Sequence, residues 1–81
     1  MDMKTFIYTD KVNSGRVVVS TTSGFLPESG QYETMVFEAH TDKEEVINYT
    51  DLDMNSYPTE QQAVIGHTNM INRWRYKISM R

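Results

Sequence analysis

One stretch of this chain constrains the rest. Between residues 60 and 78, the apolar side chains Ala63, Met70, Trp74 and Ile78 fall with His67 within about 80° of one another at about 100° per residue. The spacing predicts a helix about 28 Å long at its rise of about 1.5 Å per residue, with Val64 and Ile71 flanking one buried stripe. Its start is marked by Thr59, which can cap the first turn, and by Gln62, which can return a bond to the N–H of the cap. Such a helix should lie across one face of a sheet, anchored by Trp74, Met70 and His67. Gly66 sits near the edge of the stripe at a cost of about 1 kcal/mol relative to alanine, which suggests that a strand approaches it closely.

The upstream sequence supplies the strands. Residues 4–9 alternate Phe6 and Tyr8 against Thr5, Ile7 and Thr9, and residues 16–22 are rich in β-branched side chains. Asp10, Asn13, Ser14 and Gly15 form turns, so these two strands are expected to pair as a hairpin. Residues 23–31 read as a loop through Gly24, Pro27 and Gly30. Residues 32–39 give the clearest strand, with Met35, Phe37 and Ala39 on one face and Tyr32, Thr34, Val36 and Glu38 on the other. Residues 45–52 read as a fourth strand, with a short helix as the competitor, and residues 51–58 as a connector. The expected fold is α+β: a small, mostly antiparallel sheet of three or four strands with one long C-terminal helix packed on one face, in a single domain over residues 1–81.

Size and composition then exclude whole classes of function. At 81 residues there is room for one small core. With no cysteine, disulfide scaffolds, thiolate zinc sites and cysteine nucleophiles are ruled out. No apolar run of about 18 residues and no secretion signal is present, so the expectation is a cytoplasmic protein with no membrane partner.

Charge is unevenly spread. The formal net charge is −3, yet residues 1–72 carry four basic against all eleven acidic side chains, while residues 73–81 carry Arg73, Arg75, Lys77 and Arg81 and no acid. The simplest account is that cations at the end of a last helix complement its dipole. A bipolar docking surface is a second account. An acidic body imitating nucleic acid, and so inhibiting a host enzyme, is a third, which the ordinary charged content of 23% weakens.

Tests for chemistry are largely negative. Neither His40 nor His67 lies near a G-x-S-x-G nucleophile motif. Ser20-Thr21-Thr22-Ser23-Gly24 lacks the lysine and second glycine of a phosphate loop and reads as a strand end. Asp51-Leu52-Asp53-Met54-Asn55 opens like a calcium loop, but Ser56 stands where glycine is needed and Gln62 where a bidentate glutamate is needed. His40, Asp42 and Glu44 alternate and could gather a metal ion, although a solvated turn explains them as well. His67, within the apolar stripe, suits a packed neutral imidazole with one hydrogen-bond partner better than a ligand. Asn48-Tyr49-Thr50 matches a glycosylation acceptor without a secretion signal. These readings predict a non-enzyme that takes no cofactor and no metal.

Binding signals are few. Phe25 and Leu26 lie in a loop between Gly24 and Pro27, where they either fold over the core or contact another chain. Arg73-Trp74-Arg75-Tyr76-Lys77 interleaves cations with aromatics in the manner of nucleic-acid binders, but Trp74 belongs to the buried stripe, which argues against a stacking platform. Arg16, Arg73 and Arg75, with the hydroxyls at positions 20–23, are the groups that could hold the phosphates of a small ligand.

Two segments, Gln31-Tyr32-Glu33-Thr34-Met35-Val36-Phe37 and Tyr57-Pro58-Thr59-Glu60 leading to Gly66-His67, Met70, Arg73 and Trp74, carry a resemblance. Together they resemble a group of small proteins of tailed bacteriophages and prophages, over residues 31–74. The resemblance implies a phage gene product acting in the bacterial cytoplasm and brings no catalytic residues with it. It also implies that Glu33, Thr34, Gly66 and His67 belong to one structural unit, with a polar contact from strand to helix. The leading expectation is a phage accessory protein that binds a protein partner or itself. The alternatives are a protein that binds or sequesters a nucleotide signal, and the acidic mimic.

Overall fold

The computed structural model describes residues 2–8, 16–23, 32–40 and 43–80. Four strands, β1 (Asp2–Tyr8), β2 (Arg16–Ser23), β3 (Tyr32–Ala39) and β4 (Val46–Tyr57), form one sheet in the order β1-β2-β3-β4, and each is antiparallel to its neighbour. One helix, α1 (Glu60–Ser79), crosses one face of the sheet and touches all four strands. The α+β architecture expected from the sequence is the one observed.

Side-chain alternation explains why this sheet has one sealed face. Register places Thr5 opposite Val19, Ile7 opposite Val17, Val19 opposite Val36 and Thr21 opposite Thr34, and all of these point toward α1. Ile7, Val17, Val19 and Val36 pack against Met70, Trp74 and Ile78 of the helix, with Ile71 at the margin. The buried helical residues are Ala63, Gly66, His67, Met70, Trp74 and Ile78, the stripe that the 3.6-residue period marks out. Thr59 caps the helix in an extended conformation, and its side-chain oxygen accepts from the Gln62 N–H at 3.2 Å.

Strand β4 corrects the sequence reading. Residues 51–58 were expected to be a connector, but the strand runs on to Tyr57, where it pairs with Tyr32. Asp51, Asp53, Asn55 and Ser56 are poor strand formers, and pairing with the apolar β3 overrides their preference. The cost shows in the register: Asp53 pairs with Val36 and Asn48 with Glu38, so residues 49–52 stand opposite Phe37 alone as a bulged segment. The close approach expected at Gly66 is also found. A Cβ there would collide with the Tyr57 ring at the end of β4.

Candidate functional site

The helix side of the sheet carries a polar chain within the core. Thr21 Oγ1 lies 2.6 Å from Thr34 Oγ1 and 2.7 Å from His67 Nδ1, while Thr5 Oγ1 lies 3.0 Å from His67 Nε2. Both ring nitrogens are therefore used, where the sequence suggested one partner. A neutral imidazole donates from one nitrogen and accepts at the other, which suits a row of hydroxyls that can each do either. Burial holds His67 below the usual imidazole range. A hydroxyl on an imidazole is half of a nucleophilic couple, but Thr21, Thr34 and His67 are all buried, so the arrangement serves packing.

A second polar contact fixes the C-terminal half of the helix. Asp53 Oδ2 accepts from Trp74 Nε1 at 3.1 Å and from Arg73 Nη1 at 3.2 Å, with Lys77 Nζ at 3.9 Å. Partial burial pushes the Asp53 carboxyl upward. Bonds from Trp74, Arg73 and the Met54 N–H, with the Arg73 charge, outweigh it and hold the carboxyl below its usual range. Lys77 also lies over the Trp74 ring at 4.7 Å.

The opposite face of the sheet is where the structure offers a site. Among the described residues no helix or strand packs on it. Its middle is apolar, with Phe6, Val18, Met35 and Phe37 brought side by side by the register. A cleft of about 230 Å³ opens there. Val18, Met35, Phe37 and Val46 line it on the apolar side, and Lys4, Ser20 and Thr22 on the polar side. Tyr49 forms the remaining wall. The β4 bulge positions that residue: its ring stands 5.4 Å from Phe37, tilted by 60°, and Tyr49 is 74% exposed. Leu52 and Met54 on the same strand are about half exposed.

The edge of β4 looks different. The N–H groups of Thr50, Met54 and Ser56 are taken at 2.9, 2.9 and 3.1 Å by the side chains of Asn48, Asp53 and Asn55. A strand whose amides are occupied by its own side chains is a poor template for an added strand.

The candidate residues of the sequence divide between the two sides. Ser20 and Thr22 reach the cleft, while Thr21 between them turns to His67. Arg16 lies over the Phe6 ring at 5.9 Å on the cleft face. Arg73 is tied to Asp53 on the helix side and Arg75 is exposed, so the three arginines do not converge with the hydroxyls. Thr34 and His67 share one contact through Thr21, Gly66 meets Tyr57, and Glu33 lies on the other face opposite Thr22. Asp51 and Asp53 are held in a strand and not in a calcium loop. His40 faces Glu45 at 4.0 Å, and among the described residues no group of three or more His, Asp or Glu could hold a metal ion. Phe25, Leu26 and Asp42 lie outside the described residues. Lys4, Phe37 and Tyr49 were not singled out from the sequence, because cross-strand register and the bulge bring them together. Comparisons with protein-family models, with curated proteins and with solved structures yield no match.

Proposed function

We propose that this chain is a non-enzymatic binding protein, a phage accessory product acting in the bacterial cytoplasm, and that it docks a protein partner on the face of the sheet opposite the helix. The observation that supports this reading is the apolar patch around the cleft. Folding accounts for the buried helix side, but it does not require Tyr49, Leu52 and Met54 to be displayed together. With the Thr50, Met54 and Ser56 amides of β4 occupied by side chains, docking on the face is favoured over strand addition along that part of the edge.

The test is retention of host proteins by the immobilised chain beside its Met54→Glu variant, with circular dichroism confirming that both are folded. The expected result is a specific protein held by the wild type and released by the variant. Identical retention by both, or a strictly monomeric wild type that holds nothing, would overturn the reading.

A second reading rests on the polar side of the cleft, where Lys4, Ser20 and Thr22 could hold an anionic small molecule such as a nucleotide signal. A ligand present at about 100 times its Kd adds about 2.7 kcal/mol. A panel of cyclic nucleotides that leaves the melting temperature unmoved removes it.

A further inference from the structure

We infer that the cleft beside Tyr49 takes a single aromatic side chain from the partner together with one neighbouring carboxylate, an inference that rests on reading this face as a protein-docking surface. Size is the first argument. An apolar cavity of about 150 Å³ holds benzene, so the 230 Å³ here suits a phenol or indole side chain. The lining is the second. Val18 forms a fully buried floor, and Met35 supplies a sulfur of the kind that sits well against ring edges. The tilted Phe37 and Tyr49 rings leave the exposed Tyr49 free to stack on a third ring.

Charge sets what accompanies the ring. Among the described residues Lys4 is the one cation lining the cleft, and the hydroxyls of Ser20 and Thr22 stand beside it. Register puts Lys4 opposite Ser20, and the next row carries Asp2 opposite Thr22 with Glu33 beyond. One carboxylate therefore meets Lys4 favourably, while a run of acids would be driven against Asp2 and Glu33. A free aromatic acid would fill the cleft and leave Leu52 and Met54 in water, whereas a polypeptide covers them as well.

The test follows amide NMR shifts of the full chain during titration with the hexapeptide Ser-Gly-Asp-Trp-Ser-Gly. Parallel titrations use versions with Trp replaced by Ala or Asp replaced by Lys, and free 2-naphthoate. The first peptide should saturate shifts at Lys4, Ser20, Thr22, Phe37 and Tyr49, and the two altered peptides should bind at least about tenfold more weakly. Tyr49→Ala should abolish binding, and Lys4→Glu should reverse the preference between the Asp and Lys peptides.

Equal binding of the Ala peptide, shifts confined to other residues, or an unchanged preference in Lys4→Glu would overturn the inference. So would 2-naphthoate binding more tightly than the peptide, since the occupant would then be a free aromatic acid. If the peptide fails while Met54→Glu still releases the host protein, the pocket inference falls and the docking face stands. If Met54→Glu releases nothing, the docking face falls.

Discussion

Burying an imidazole costs free energy unless its nitrogens find partners, and at His67 both do, through Thr21 and Thr5. The bonds stabilise the neutral ring, and burial disfavours the charged one, so the folded state holds a proton less readily than the unfolded chain. The sign follows: the stability contributed by neutral His67 is fully present above the unfolded value of about 6.5 and is lost as pH falls below it. Urea unfolding at a series of pH values should show stability declining as pH falls below about 6.5. His67→Gln should be less stable at pH 7, by about 1 to 3 kcal/mol, yet flatter below about pH 6.5. Asp53 acts in a separate window, because its lowered carboxyl contributes stability above about pH 3.9 that is lost only below it. A His67→Gln chain that declines as steeply as wild type would refute this assignment.

At the scale of elements, the helix was legible because its evidence is local. Its stripe and its Thr59 cap follow from periodicity and capping chemistry within one segment, and Gly66 marks a close approach whose partner, Tyr57 of β4, only the fold supplies. Thr59→Ala should cost about 1 kcal/mol, read as a drop in the urea midpoint at constant slope. Gly66 tests the contact with β4 more sharply. Alanine improves helix propensity by about 1 kcal/mol, but its Cβ would strike the Tyr57 ring. Gly66→Ala should therefore stabilise a Tyr57→Ala background and give less, or a loss, in the wild-type chain. Additive effects in the double mutant would mean that the ring moves aside freely. Strand β4 was half legible: its apolar start reads as a strand, whereas the run from Asp51 to Ser56 does not, since only pairing with β3 makes it extended. The cleft was illegible for the same reason. Lys4, Ser20, Phe37 and Tyr49 come from four different strands, and no spacing along the chain encodes the bulge that raises Tyr49 beside Phe37.

Seen as a whole, the molecule divides its apolar side chains between two faces of one sheet, and the two sets answer to different demands. Trp74 seals one face through the core and through Asp53, so Trp74→Ala should cost about 3 to 5 kcal/mol. A chain of this length holds only roughly 4 to 12 kcal/mol in total, and that single change should leave much of the population unfolded by circular dichroism at 37 °C. On the other face, Tyr49 is largely in water already and Met54 is about half exposed, and Tyr49→Ala or Met54→Ser should each shift unfolding by no more than about 1 kcal/mol. The contrast separates folding from docking, because side chains retained for stability cannot be removed cheaply, whereas side chains displayed for a partner can. If Tyr49→Ala and Met54→Ser together cost as much as Trp74→Ala, the cleft face belongs to the core and its apolar patch needs no partner to explain it.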